Sequence, residues 1–576
     1  MKEQNSRNKL FRLNGIGFFY ILVIVAILAW MTYGSLQGVL GMLSYIFIGL
    51  LNAYPWIIPF IGIPLGILNL LGIIGPDMFE LTGSLAYVDP SWMVILWYVV
   101  IIVLSIIVNV LLTVLTILKI VKLRRKKTSP TKNYALINCT IIDGNKDSEP
   151  ISEGVILIQN TTESDDGVSG RIIGIGREST ITIPSDYKKI DLKGMFVLPG
   201  LINAHCHLTG SGKPTFLVKL SDKWLYRIIR ILDTPLGRIL LKRMMKKNAL
   251  NALHAGVTTM KTMSDPIYMD LEVRDEINEG NIIGPRLLCS GKGICVTGGH
   301  GGAMAYLADS VPEIRKAVRK NLREKVDFIK ILSTGGVMDA ERVGEAGRPQ
   351  MTIEEIETAC IEAHRGNLLI ASHCESTEGI EEALKGGVDS IEHGAEIKDS
   401  QIQLFKNNSR SLRGYTYLVP TISAGMGLAS LPKEETKITA VKQQNAVLIE
   451  EGMIKGLQKA YKEGIRIGVG TDASVPYSLH YHLWKELMYF IRYTGMSNQE
   501  AIYYATKNNA ELLGIEEETG SIEEGKFADL IVVNTNPLES IDALATIEHV
   551  FIKGYFIQNP KIKAVKGLKD FEPILL

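Results

Sequence analysis

The chain has 576 residues, a formal net charge of +1 and six cysteines. That length exceeds one ordinary compact domain and suggests two or three units, and the near-zero charge gives no general attraction to nucleic acid or acidic partners. The cysteines (Cys139, Cys206, Cys289, Cys295, Cys360, Cys374) show no CxxC or paired spacing, so they read as reduced thiols rather than a disulfide framework or a zinc finger.

From Leu13 to Leu118 there is no Lys or Arg, and aliphatic and aromatic residues dominate. A soluble surface does not look like this, so residues 1–128 are expected to be a membrane region of two to four transmembrane helices. Gly15–Tyr33 and Trp92–Val121 are each long enough to span, and the Pro-interrupted run 39–74 adds none or two. Lys2, Arg7, Lys9 and Arg12 before the first span, and Lys119 to Lys127 after the last, predict cytoplasmic flanks. The expectation is a multi-pass protein of the cell membrane with its catalytic part on the cytoplasmic side.

After residue 128 the texture changes. Residues 129–198 contain short β-like runs separated by Gly, Asp and Asn turns (ALINCTII, GVILIQ, RIIGIG), and residues 516–576 repeat this with FADLIVVN and HVFIKGYFI; the two ends are expected to form one discontinuous β-sandwich. Between them, over 199–515, the apolar runs LINAHC, TTMKTM, RLLCS, DFIKIL, LLIAS, SIEH, YLVPT and RIGVG alternate with helical patterns. This is the sequence form of an α/β fold, a (β/α)8 TIM-like barrel, whose chemistry belongs at the C-terminal strand ends.

The candidate ligands fall at those ends. His205 and His207 close the first run two residues apart, on one side of a strand, where they can share a metal. Lys330 lies in the fourth run, His373 ends the fifth, His393 the sixth, and Asp472 follows the eighth. Imidazoles and a carboxylate suit Zn²⁺ or a similar divalent ion. Lys330 is the odd member, since a lysine amid apolar strand residues is costly unless it is paired or modified.

The motifs LPGLINAHCHL, AGVTTMKTM, GPRLLCSG, TGGHG, DFIKI, ASHCES, SIEHG, VPT, GTDAS and GSIEEGKFADLIVV resemble the amidohydrolase superfamily over about Tyr134 to Gln558. The likeness is to the branch of metal-dependent Xaa-Pro dipeptidases, with imidazolonepropionases more distant. It implies that Lys330 is carboxylated and bridges two metal ions, zinc by family habit, with His205, His207 and Asp472 holding one and His373 and His393 the other. It further implies that hydroxide generated at the ions attacks a bound amide while Asp472 moves the proton to the leaving amine. His300, in TGGHG, resembles a family position that hydrogen-bonds the substrate carbonyl. Tyr415 and Tyr417, before VPT, are candidate substrate contacts.

The expected activity is hydrolysis of an amide or peptide C–N bond in a small molecule such as a dipeptide or an N-acyl amino acid. Two other readings stay open: a one-metal deaminase or cyclic-amide hydrolase, and a membrane transporter or sensor with an inactive barrel. A basic, amphipathic stretch at 219–247 in the first strand–helix loop is either a lid with a solvated basic face or a surface resting on the lipid bilayer. A homo-oligomer is compatible with the sequence, and no nucleic-acid motif is present.

Overall fold

The computed structural model describes residues 132–161, 169–215, 220 and 222–568. The run 13–118, and with it the whole expected membrane region 1–128, lies outside the described residues. Localisation requires a correction. Among the described residues no helix is long and apolar enough to cross a membrane, and multi-pass insertion in the cell membrane is not retained.

Strands from both ends of the described chain share one eight-stranded sheet. Its order is Tyr555–Gln558, His549–Ile552, Leu530–Val533, Phe196–Pro199, Tyr134–Ile141, Ile151–Thr161 and Ser169–Arg177, with Lys188–Asp191 paired to Tyr134–Ile141. The join is the antiparallel register of Leu530 to Val533 against Pro199 to Phe196. Alternation explains it: Leu136, Ile156, Ile172, Val197, Leu530, Val532 and Phe551 turn inward to one apolar cluster. Phe196–Pro199 runs almost directly into the first parallel strand, so this sheet holds the start of the catalytic segment.

The intervening strands are parallel. β1 (Leu201–Cys206), β2 (Val257–Thr262) and β3 (Arg286–Cys289) form one sheet. β4 (Ile329–Leu332), β5 (Ile370–Cys374), β6 (Ser390–His393) and β7 (Tyr417–Val419) run in order in a second, extended beyond β4 by Gly293–Cys295 and Ala305–Leu307. Seven of the eight expected runs are therefore strands. The eighth, containing Gly468 and Gly470, is not: it makes an isolated parallel bridge, Ile467 with Leu418. Backbone bonds still tie it on both sides, from Ala204 N–H to the Val469 carbonyl at 2.9 Å and from Gly468 N–H to the Leu418 carbonyl at 2.8 Å.

Helices cover the outward faces of these strands. In Ile353–Arg365 the side chains of Thr352 and Glu355 form a capping box, and Ile356, Ala359, Cys360 and Ala363 recur at helical spacing and are buried. Burying a side chain such as Ile356 stabilises by roughly 1.5–3 kcal/mol. The outcome is a rigid, close-packed support for the C-terminal ends of β1 to β7.

The basic stretch after β1 forms helices α1 (Asp222–Leu232) and α2 (Pro235–His254). Three of its cations are engaged by protein carboxylates: Arg238 pairs with Asp233 and Glu272, Lys242 with Glu272 and Glu276, and Lys246 with Glu276. Those pairs take up part of the basic face, and the lipid-bilayer contact, one of the two readings of this stretch, is not retained.

Candidate metal centre

β1 delivers the first two histidines. The His205 carbonyl accepts the backbone N–H groups of Thr471 and Asp472, at 3.0 and 2.9 Å, so the strand end and the loop bearing Asp472 are locked together. Asn203 reinforces this, its Nδ2 donating to Thr471 Oγ1 at 2.8 Å. His207 N–H donates to the Ala473 carbonyl at 2.9 Å. Asp265 accepts the next two amides, Leu208 N–H and Thr209 N–H, at 3.0 and 2.9 Å.

Side chains then converge. His207 Nε2 lies 2.9 Å, and His205 Nε2 3.4 Å, from Asp472 Oδ1. Ligand atoms of His205, His393 and Asp472 all lie within 4.8 Å of one another. Ring centroids continue the cluster: His205 to His207 5.8 Å, His205 to His393 4.8 Å, His393 to His373 4.6 Å, and His373 to His300 4.3 Å. Two of these residues carry backbone strain, His393 with φ 69° and Asp472 with φ 51°, a left-handed conformation that non-glycine residues adopt at a cost of order 1–3 kcal/mol. His393 is held there by Thr421 Oγ1, 2.7 Å from its Nδ1.

Electrostatics match the geometry. Burial opposes ionisation of Asp472, but hydrogen bonds from His205 and His207 outweigh it and hold the carboxyl well below its ordinary range. Burial works to lower His207, and the Asp472 carboxylate more than reverses it. Burial, helped by His300 for His373 and by His205 for His393, keeps those two imidazoles well below the usual histidine value, hence neutral and able to donate a lone pair. Lys330 is 2% exposed and its Nζ has no hydrogen-bond partner. Burial lowers its ammonium to about 8. An orphaned, easily neutralised amine amid imidazoles and a carboxylate fits a site that takes divalent ions and a modified lysine.

His300 stands at the edge of this cluster. Its Nδ1 bonds the Asp339 carboxylate, and a Cβ on Gly336 would come within 2.4 Å of the ring, so the loop's glycine is what lets His300 lie there. Burial would lower its pKa, but Asp339 raises it overall. Tyr415 and Tyr417 are placed elsewhere. Tyr417 is 1% exposed in a cluster with Ile202, Ala204, Val419, Ala510 and Leu512, and Tyr415 lies under the Arg466 guanidinium, 4.1 Å from its ring centroid. His480 Nε2 is 2.8 Å from the His207 carbonyl; His254 and His364 bond the Lys561 carbonyl and Asp389.

Several neighbours of the site had no place in the sequence argument. Glu392 Oε2 lies 2.6 Å from His205 Nδ1, Lys261 Nζ is 3.7 Å from Glu392 Oε1, and Glu375 Oε2 is 3.9 Å from His373 Nε2. Lys261 in TTMKTM and Glu392 in SIEH carry the same sequence signal as Lys330, since a charge inside an apolar strand run needs a partner.

An α/β chain with a buried histidine–carboxylate cluster at its parallel strand ends is the architecture of a metal-dependent hydrolase. Residues 196–557 match the model of the amidohydrolase family, and the chain belongs to that family. It is 35% identical to a Bifidobacterium longum protein assigned as a prolidase, whose crystal structure superposes with a TM-score of 0.65 over 75% of this chain and 96% of that one. A Xaa-Pro dipeptidase with methionine bound in its active site is 29% identical, with a TM-score of 0.63, covering 74% of this chain and all 100% of that one. The ochratoxinase of Aspergillus niger is 29% identical over 342 residues, 54% of this chain and 67% of the relative. The chain is thus a hydrolase acting on carbon–nitrogen bonds, of a family that is generally metal-dependent.

Proposed function

We propose that the chain hydrolyses an amide or peptide C–N bond in a small molecule, a dipeptide or N-acyl amino acid, at two zinc ions bridged by carboxylated Lys330. His205, His207 and Asp472 would hold one ion and His373 and His393 the other. The observation that carries this is the buried Lys330 Nζ, which has no hydrogen-bond partner and is close enough to Asp472 to feel its charge. When bound, such ions polarise a scissile carbonyl and acidify a water.

The protein's own groups do the rest. Asp472, kept ionised, accepts the proton of the attacking water and returns it to the leaving amine. His300, with Asp339 on Nδ1, presents Nε2 toward the carbonyl oxygen and stabilises charge developing there. The two parallel sheets are taken as arcs of one (β/α)8 barrel over 199–515, supported by the backbone bonds through the eighth run, flanked by the discontinuous eight-stranded sheet, one continuous sheet where a sandwich was expected. Tyr415 lies under Arg466 and Tyr417 within an apolar cluster, and no substrate contact is proposed for them.

A one-ion deaminase or cyclic-amide hydrolase is the second reading, favoured by a specific feature: three residues, His205, His393 and Asp472, already form a compact set by themselves. The test is hydrolysis of Xaa-Pro dipeptides and N-acyl amino acids by zinc-loaded protein, before and after chelation. Chelator-sensitive release of the free amino acid is expected. Ammonia release from a nucleoside or base, with no amide cleavage, would favour the alternative.

A further inference from the structure

Two buried lysines face one buried carboxylate beneath the candidate metal centre. Lys261 on β2 is 3% exposed, Lys330 on β4 2%, and Glu392 on β6 0%. Glu392 is fully engaged: Oε2 lies 2.6 Å from His205 Nδ1, and Oε1 accepts from Ser390 Oγ at 2.5 Å and lies 3.7 Å from Lys261 Nζ. Lys261 Nζ also reaches Ser390 Oγ at 3.5 Å and sits over the Phe328 ring, 4.7 Å from its centroid. Lys330, although near enough to feel Glu392 electrostatically, makes no hydrogen bond through its Nζ.

We propose that Lys261 and Glu392 are a positioning pair. Glu392 holds His205 through Nδ1, which turns Nε2 toward Asp472 and the ion, and Lys261, 3.7 Å from the other carboxylate oxygen, balances the charge of Glu392 so that it does not capture Lys330. The inference rests on the two-ion reading above. Its physical basis is that a buried carboxylate stripped of its cation takes the next one available, because an uncompensated charge in the interior costs several kcal/mol. After Lys261, the next buried cation is Lys330. A hydrogen bond from the second ring nitrogen of a metal-binding histidine to a carboxylate fixes tautomer and ring orientation, and losing such a partner commonly weakens metal binding about 10–100-fold. The sequence separation of 131 between Lys261 and Glu392 (392 less 261) hides the pair from any local motif.

The experiment titrates the metal-stripped full chain with Zn²⁺ against a chromophoric chelator, with circular dichroism melting to confirm folding. Glu392→Gln is expected to weaken zinc binding about 10–100-fold, and Lys261→Met at least about tenfold by the same loss of orientation. The double variant is expected to bind no more weakly than the weaker single, because without the carboxylate nothing captures Lys330. Losses that multiply in the double variant, or single variants within about twofold of wild type, overturn the pair. Where Lys261→Met does not fold, Ser390→Ala removes the hydroxyl donor from the same oxygen and should weaken binding at least about threefold; unchanged binding overturns the proposal. A wild-type chain that takes up no zinc overturns the two-zinc reading and the pair with it, whereas tight wild-type binding with unchanged variants overturns the pair alone.

Discussion

Gly470→Ala probes how tightly the eighth run backs the first histidine. A Cβ at Gly470 would lie 2.6 Å from His205 Cβ, 2.8 Å from His205 N and 2.9 Å from Val419 Cγ1. All three distances are below van der Waals contact, and one involves backbone, so no rotamer change relieves the clash. Restoring ordinary carbon–carbon separation of about 3.5–4.0 Å requires β1 to move by roughly 1 Å at His205. Overpacking of this kind costs typically about 1–3 kcal/mol. A metal site tolerates only about 0.2 Å in its ligand distances, so the variant should lose zinc affinity out of proportion to its lost stability. The assay pairs thermal melting of the metal-free protein with zinc titration. A fall in Tm of a few degrees with affinity reduced by at least about tenfold is expected. Unchanged Tm and unchanged affinity would refute the close packing of β1 against the Gly470 segment.

Asp472→Asn should lower kcat by about 10²–10⁴ through loss of proton transfer, with KM changed far less; steady-state kinetics on a cleaved dipeptide checks this, and an equal loss in KM alone would contradict it. Lys330→Met should lower zinc uptake from two ions per chain to one or none, measured by atomic emission on dialysed protein. Stability of the metal-free chain should fall on acidification. Burial lowers His480 to about 4 and His482 to about 3, from 6.5, so the unfolded chain binds protons that the folded chain refuses between pH 6.5 and those values. Stability is then full above about pH 7 and drops by up to about 1.4 kcal/mol per pH unit for each group below 6.5. A Tm flat from pH 7 to 5 would contradict the burial of these rings.

Patterns that depend on neighbours in the chain were the readable ones. Seven apolar runs became strands because β-rich segments between turns announce themselves locally, and the family motifs lie on their ends. The eighth did not, since Gly468 and Gly470 weaken a strand and leave room for β1 and β7 instead. Side-chain partnerships across the sheets were not readable. His300 depends on Asp339, His205 on Glu392 and His393 on Thr421, each pair made by tertiary folding of residues far apart in sequence. Alternation also does not tell which tyrosine near β7 reaches a substrate; Tyr417 packs with Leu512 and Ala510 of the late helix Asn509–Leu513. Hydropathy suggested membrane insertion from a segment outside the described residues, and charge pattern alone did not reveal that Arg238, Lys242 and Lys246 of the basic stretch pair with Glu272 and Glu276.

Zinc per chain, measured on the same samples as Xaa-Pro dipeptide cleavage in the wild type and in Lys330→Met, decides whether Lys330 and the five ligand candidates form a metal centre for C–N hydrolysis. Two ions and chelator-sensitive cleavage in the wild type, both lost in the variant, are predicted; cleavage that survives removal of all metal, or a variant with full zinc and full activity, would contradict the account.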